Sequence, residues 1–492
     1  MDHKQKLIAT PTCRGQGVRA ETMVDGFSNL PDGVTHQILS HLTITDVTRF
    51  GSVSKRCRQL HLSTPSLKFE GFSEANLSTL GNRLALLNAL DGFMIRRGDV
   101  KLQTFRFRSF CGFEKSRIIE WIRNALRCNV EGLDFELGLV DLPLLFQSIL
   151  RCATLRSLSV EMKYKYRFLT LPSSACFANI ECLKLKNIHV VDEGFFRWIS
   201  SSCKCIKELR LEGIEGISHL SIESSSLVSF SVVHPFQSDP LILSISAEKL
   251  VDLVIDWGFQ NCKKVLNVTA PEVRYLKLEG NSLIHQKLGE LRRLEKADLC
   301  LRPGGNDINM LSEFISSIRS VKVLILGEEI LKALFQKGSR PAPLDNVRHL
   351  CIHVGYMLDD VVPAMVSILK GIPNLSTLYI KSFPIFIHLG SKSSGHNVAY
   401  WKLLDLAFVH QLEEVTIELP NGSNGIELAS YLLEHAKSLK KMVIVHSPQQ
   451  SSVERKLHIT YKKSNLRAVL EEDQKRGTLE RNSRRAFTRE RI

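Results

Sequence analysis

The chain has 492 residues, of which 44% are hydrophobic and 24% are charged, and its formal net charge is +14. This length exceeds what one compact core usually holds, so we expect several modules or an elongated repeat array. No apolar run predicts a membrane span, and the N-terminus lacks the apolar region of a secretory signal. The 12 cysteines are scattered, which favours reduced thiols in a protein of the nucleus or cytoplasm over a disulfide scaffold.

Residues 1–24 carry no apolar periodicity and predict a disordered N-terminal tail. Within this tail, GQGVRA at 15–20 matches the glycine pattern of a dinucleotide-binding turn, but no apolar strand precedes it. The sequence has no Walker loop, G-x-S-x-G elbow or H-E-x-x-H pair. His349 and His353 lie four residues apart in a predicted strand, where core or surface histidines are commoner than metal ligands. The sequence therefore predicts no catalytic residue, no cofactor and no metal.

Residues 25–69 predict three short helices. Pro31 suits the first turn of a helix, and Val34, Ile38 and Leu42 follow at helical spacing. A second helix is predicted to start near Thr45, and a third after Ser54. Three helices of this size bury little area, so we expect them to pack on a partner or on the rest of the chain.

A six-residue pattern of apolar, any, any, apolar, any, apolar residues recurs fourteen times between residues 102 and 444. Successive copies start 21 to 28 residues apart, except for one interval of 37, and this spacing is typical of leucine-rich repeats. One repeat cannot bury its own apolar face, so the repeats must stack around a continuous core. The copies start at Leu102, Val130, Leu155, Ile180, Ile206, Leu227, Leu250, Val273, Leu294, Val321, Val347, Leu375, Leu412 and Leu439.

Three consecutive repeats, starting at Leu220, Leu243 and Leu266, align at a shift of 23 residues. This length leaves no room for a long helix, so extended or single-turn segments are predicted on their outer side. Longer repeats have room for helices, as at 193–206, where apolar residues fall on one helical face. We predict an α/β chain in which a small three-helix unit precedes a solenoid with parallel strands on its concave face.

Polar residues that alternate with the buried leucines should point out of this concave face. Lys184, Arg210 and Lys277 are the candidates for contacts with a macromolecular target, and Glu208 and Asp252 point the same way. The last 42 residues, 451–492, hold 12 Lys or Arg against 6 Asp or Glu. This segment predicts a basic and partly disordered tail, which could bind a polyanion or direct nuclear import. No motif or pattern of alternating basic and aromatic residues supports nucleic-acid binding elsewhere.

The helical segment at 25–69 resembles an F-box of the plant type. The resemblance rests on Leu30-Pro31-Asp32, Ile38-Leu39-Ser40, Leu42, Asp46-Val47 and Ser52-Val53-Ser54-Lys55-Arg56-Cys57-Arg58. The departures are Thr35, where an aliphatic residue is common, and Cys57, where tryptophan is usual. Residues 410–445 are similar to the FBD region that ends many plant F-box/leucine-rich-repeat proteins. The matching residues there are Val415-Thr-Ile417, Asn421-Gly, Glu427-Leu, Tyr431-Leu-Leu433 and Leu439–Ile444.

This resemblance implies an F-box at 25–69, a leucine-rich-repeat solenoid at 70–390 and FBD-like repeats at 391–450. It also implies a non-catalytic substrate receptor of an SCF-type ubiquitin ligase, which binds a Skp1-type adaptor and through it a cullin. The alternative is an F-box scaffold or polyanion-binding protein that acts without ubiquitin transfer. The family motif places the adaptor contacts on Leu30, Pro31, Ile38, Leu39, Leu42, Val47 and Val53.

Overall fold

The computed structural model describes most of the chain between residues 29 and 472. The tail predicted at 1–24, with its glycine-rich segment, lies outside the described residues, as does most of the tail predicted at 451–492. The described residues are 29–70, 79–108, 115–137, 148–149, 151–163, 168–169, 179–190, 194–216, 218–234, 241–258, 264–281, 285–289, 291–303, 308–336, 343–355, 361–382, 406–418, 424–446 and 468–472.

Three short helices open the described chain: α1 (Asp32–Leu39), α2 (Ile44–Gly51) and α3 (Lys55–Leu62). Pro31 stands immediately before α1, and the hydroxyl of Ser54 accepts a hydrogen bond of 3.1 Å from Cys57 N at the start of α3. The second helix begins at Ile44, one residue before the predicted start at Thr45. The three-helix unit predicted from the sequence is therefore present.

Within the described residues, sixteen parallel strands form one continuous sheet. Each of the fourteen hexamers overlaps one of these strands, so the predicted leucine-rich-repeat array is confirmed. The buried rows are leucines and other aliphatic residues, such as Leu183, Leu209 and Leu276, which have almost no exposed surface. In spatial order the strands are β1 (Ser66–Phe69), β2 (Thr104–Arg108), β3 (Gly132–Leu137), β4 (Ser157–Met162), β6 (Cys182–Lys186), β8 (Glu208–Glu212), β10 (Ser229–Val233), β12 (Asp252–Asp256), β14 (Tyr275–Asn281), β16 (Lys296–Arg302), β17 (Val323–Gly327), β18 (His349–Val354), β19 (Thr377–Ser382), β20 (Glu414–Glu418), β21 (Lys441–His446) and β22 (Ala468–Glu472).

The sheet extends beyond the fourteen hexamers at both ends. Strand β1 lies inside the range predicted for the F-box and pairs with β2, with Leu67 and Phe69 buried. Strand β22 lies inside the range predicted for the basic tail and pairs with β21. Both strands were missed because neither carries the complete hexamer.

The outer side of the repeats changes with repeat length. The repeats of 23 residues carry strands there: β9 (His219–Glu223), β11 (Leu241–Ser246), β13 (Lys264–Thr269) and β15 (His285–Leu288), which form a second parallel sheet. This confirms the prediction of extended outer segments. A smaller sheet pairs β5 (Phe168–Leu169) with β7 (His189–Val190). The helices on the outer side and at the array's start are α4 (Leu80–Arg97), α5 (Lys115–Arg127), α6 (Gly194–Ser202), α7 (Ile308–Ser317), α8 (Glu328–Gln336), α9 (Val362–Lys370) and α10 (Asn424–His435), with a 3-10 turn at Ala407–His410.

The three-helix unit is fixed to the array through α4. The guanidinium of Arg97, at the end of α4, is buried and donates hydrogen bonds to four backbone carbonyls. Two of these carbonyls lie at or just after the end of α3 and two follow α4, so a single side chain joins both segments; they belong to Leu62, Thr64, Val100 and Lys101. The ring of His61 in α3 also packs on Phe93 of α4, with ring centroids 5.5 Å apart. Burial lowers the pKa of His61.

Candidate functional surfaces

An apolar surface lies on the three-helix unit. The residues Val34, Ile38 and Val53 are 46%, 40% and 74% exposed, so three aliphatic residues of this small unit are in contact with water. Val34 and Ile38 are four residues apart and share one face of α1. Of the other predicted adaptor contacts, Pro31 is exposed, whereas Leu30 and Leu42 are half-buried.

Two of the predicted adaptor contacts are core residues. Leu39 and Val47 are each 1% exposed and pack with Leu60 in the centre of the three-helix unit. These two side chains hold the helices together beneath the apolar surface. Their place in the family motif therefore reflects the folding of the unit as well as its contacts.

The segment that precedes α1 is held in place by Arg56 of α3. Its guanidinium donates hydrogen bonds to the carbonyl of Leu30 and, at 3.0 Å, to the carboxylate of Asp32. The half-buried Leu30 and the exposed Pro31 are consequently presented from a fixed backbone. The Arg56–Asp32 ion pair is largely exposed, so we assign it a positioning role with little contribution to stability.

The two departures from the motif are both buried. Cys57 is 9% exposed in α3, and Thr35 is completely buried in α1. The hydroxyl oxygen of Thr35 has no hydrogen-bond partner among the residues that the structure describes. A buried hydroxyl without a partner destabilises the folded state, because it has lost its hydrogen bonds to water.

Replacement of Thr35 by Val is therefore expected to stabilise the three-helix unit. Valine has nearly the same shape and lacks the unpaired hydroxyl, so we expect the free energy of unfolding to rise by about 1 kcal/mol. Chemical denaturation followed by hydrogen exchange in residues 29–62 measures this change. Thr48→Val is the matched control, because the hydroxyl of Thr48 donates a 2.8 Å hydrogen bond to Ile44 O. A stabilisation of the same size in both variants would contradict the assignment.

The concave face aligns the three side chains predicted to contact a target. Lys184 and Arg210 lie side by side in β6 and β8, and Lys277 occupies the same row three strands further on. Each already has a carboxylate partner on this face. Lys184 lies 2.8 Å from an oxygen of Glu208, and Arg210 lies 3.2 Å from one of Glu212. Lys277 lies 2.7 Å from an oxygen of Glu279. A target that used these cations would have to compete with existing ion pairs.

The same row becomes less charged toward the C-terminal strands. Beyond Lys277 it continues through Asp298, Ile325, Cys351 and Tyr379. Ile325 and Cys351 are almost completely buried although they alternate with the core leucines. Burial also raises the pKa of the Asp298 carboxyl. This row therefore carries ion pairs in β6, β8 and β14 and uncharged side chains in β17, β18 and β19.

Clusters of metal-ligating side chains are absent from the described ranges, and no helix within those ranges is long and apolar enough to cross a bilayer. His349 and His353 lie on the concave side of β18 and are half-buried. The thiol of Cys300 lies 3.7 Å from His353 Nδ1. Burial raises the pKa of that thiol, so the pair does not provide an activated nucleophile.

Comparison with known proteins matches both parts of the chain. Residues 27–60 match the F-box domain, and residues 118–289 match the leucine-rich repeats of the FBD-associated F-box protein At5g56370. F-box/LRR-repeat protein 13 of Arabidopsis thaliana is 26% identical over 86% of this chain and 89% of its own length. F-box/FBD/LRR-repeat protein At1g78750 of the same plant is 26% identical over 86% of this chain and 90% of its own length.

Proposed function

We propose that this chain, which matches the F-box domain and the repeats of an FBD-associated F-box protein, is the substrate-recognition subunit of an SCF-type ubiquitin ligase. In this proposal the F-box binds a Skp1-type adaptor, which links the chain to a cullin. The repeat array then holds a protein target near the ubiquitin-loaded conjugating enzyme, in the nucleus or cytoplasm. The chain contributes proximity, which raises the local concentration of a target lysine, and it needs no nucleophile of its own.

One observation carries the proposal: an apolar surface is exposed on a unit that is rigidly attached to the array. Val34, Ile38 and Val53 leave aliphatic surface in water, and burial of this surface under another protein would be favourable. The Arg97 hydrogen bonds and the His61–Phe93 contact fix the direction of this surface relative to the repeats. A partner bound there would be held at a defined position relative to the target.

Charge introduced on the apolar surface should abolish adaptor binding. We expect Ile38→Asp combined with Val53→Asp to weaken the binding of a purified Skp1-type adaptor by about 100-fold or more, because carboxylates would be buried in an apolar interface. Surface plasmon resonance measures the affinity. The control is Ile95→Asp, which adds a charge on α4 at an aliphatic residue whose exposure, 77%, is close to that of Val53. Equal losses in both variants, or no adaptor binding by the wild-type chain, would refute the proposal.

The ligase role is separable from scaffolding. The wild-type chain, assembled with adaptor, cullin and RING subunits, is expected to stimulate ubiquitin transfer to lysines of the chain itself, and the Ile38→Asp/Val53→Asp variant should not. Stable adaptor binding without any ubiquitin transfer would instead favour the scaffold alternative.

A further inference from the structure

A row of side chains runs along the edge of the main sheet where its strands begin. Backbone hydrogen bonds of 2.9 Å connect this row from repeat to repeat, from Glu295 N to Arg274 O, from Lys322 N to Glu295 O and from Arg348 N to Lys322 O. Since neighbouring strands lie about 4.8 Å apart, three cations occupy roughly 15 Å of this edge. Arg319 lies in the turn just before Lys322. We call Arg274, Arg319, Lys322 and Arg348, which are all exposed, the basic edge.

The charges of the basic edge are not compensated as they are elsewhere in the same row. Nearer the N-terminus, Glu181 lies between Arg156 and Lys207 and forms an ion pair of 2.7 Å with each. Within the described ranges, none of the four cations of the basic edge forms an ion pair. Arg348 instead donates hydrogen bonds of 3.1 and 3.2 Å to backbone carbonyls, which orients its guanidinium along the edge without neutralising it.

The basic edge borders side chains that can contact an apolar group. The adjoining row of the concave face contains, from strand to strand, Tyr275, Lys296, Val323 and His349. Lys296 Nζ lies over the Tyr275 ring, 5.2 Å from its centroid, and adds a fifth positive charge at this place. All four side chains are half-buried, so part of each remains accessible from the edge.

We propose that the basic edge and the adjoining row bind an extended, acidic segment of a protein partner. Carboxylates of the segment would pair with Arg274, Lys322 and Arg348, while an apolar side chain between them would contact Tyr275 and Val323. The inference deepens the proposed function, because it names the chemistry of the target that the array would recruit. Binding at this surface requires no adaptor, so it is testable separately from the ligase role.

A peptide fits this surface better than a nucleic acid does. Glu295 stands among the cations and would repel a continuous phosphate backbone, whereas a peptide can place an uncharged residue opposite it. Single-stranded nucleic acids are bound through aromatic side chains on which successive bases stack. Of the four residues in the adjoining row, only Tyr275 has a phenol or indole ring, so successive bases would lack a series of such rings on which to stack.

The test uses the full-length chain and a fluorescein-labelled peptide of Glu and Leu in alternating pairs, with a Gln-for-Glu peptide as reference. Anisotropy at low salt should show binding of the Glu peptide and at least tenfold weaker binding of the Gln peptide. We expect Arg274→Gln with Lys322→Gln to weaken Glu-peptide binding about tenfold, since two exposed ion pairs are lost. Arg156→Gln with Lys207→Gln is the matched control in the same row and should change the affinity less than twofold.

Three outcomes would overturn the inference: no binding of the Glu peptide, equal binding of the Gln peptide, or equal losses in the two double variants. A labelled single-stranded 20-mer oligonucleotide tests whether the basic edge binds a nucleic acid instead. The inference would also be overturned if the oligonucleotide bound more tightly than the Glu peptide and lost this binding in Arg274→Gln/Lys322→Gln. Adaptor binding should be unchanged in both double variants. Loss of peptide binding alone therefore leaves the ligase proposal intact, and loss of adaptor binding alone leaves this inference intact.

Discussion

Replacement of Arg97 by Met is expected to lower the free energy of unfolding at the F-box junction by about 3 kcal/mol or more. Methionine fills a similar volume but donates no hydrogen bond, so the carbonyls of Leu62, Thr64, Val100 and Lys101 would lose a buried donor. Burial lowers the pKa of Arg97, yet arginine remains charged at physiological pH, so the wild-type structure holds a buried cation in place by these four bonds. The substitution should uncouple the F-box from the array.

Two transitions in thermal unfolding, with early loss of hydrogen-exchange protection in residues 29–62, would demonstrate this uncoupling. Arg96→Met is the control, because Arg96 is the exposed neighbour on the same helix and should change stability by less than about 0.5 kcal/mol. Adaptor binding to Arg97→Met should persist while target presentation fails, since the apolar surface belongs to the three-helix unit itself. A single unshifted transition would show that the junction does not depend on Arg97.

The sequence predicted the array well because its information is local and repeated. Each hexamer dictates one strand with alternating buried residues, and a 23-residue period leaves space only for an extended outer segment, as β11 and β13 show. Helix α4 and strands β1 and β22 lie outside that repetition and were not predicted. Strand β1 in particular depends on pairing with β2, 38 residues away, which no local pattern specifies.

The candidate surfaces were predicted less completely, because exposure and pairing depend on tertiary contacts. Periodicity marks Leu39 and Val47 as apolar but cannot tell that they face Leu60 while Ile38 and Val53 face solvent. The partners of the concave-face cations depend on register across neighbouring repeats. The basic edge was detectable in principle, since its charges occupy the second position of the hexamers that start at Val273, Val321 and Val347. The cations predicted to contact a target, Lys184, Arg210 and Lys277, occupy instead the fifth, strand-internal position of their hexamers.

Replacement of Gly280 by Ala should disrupt the middle of the array. Gly280 lies in β14 at φ +118°, a backbone conformation that residues with a Cβ rarely adopt. A Cβ there would overlap the carbonyl oxygen of Gly258 and lie 3.1 Å from Trp257 Cβ. The same carbonyl accepts a 3.1 Å hydrogen bond from Asn281 N, so it cannot move away without breaking the connection between β12 and β14. We expect a loss of about 3–5 kcal/mol from backbone strain and overpacking together.

Gly98→Ala separates the two contributions to that loss. Gly98 also has a positive φ, of +62°, but nothing lies within 4 Å of the position its Cβ would occupy. At φ +62° and ψ −142°, strain without overlap should cost about 1–3 kcal/mol. Denaturant unfolding measures the loss in the free energy of unfolding for both variants. A loss in Gly280→Ala no larger than that in Gly98→Ala would show that the backbone at Gly258 moves enough to accept a Cβ. Because each repeat is stabilised by its neighbours, a large loss at Gly280 should also expose the flanking strands β12 and β16 to hydrogen exchange before the F-box is affected.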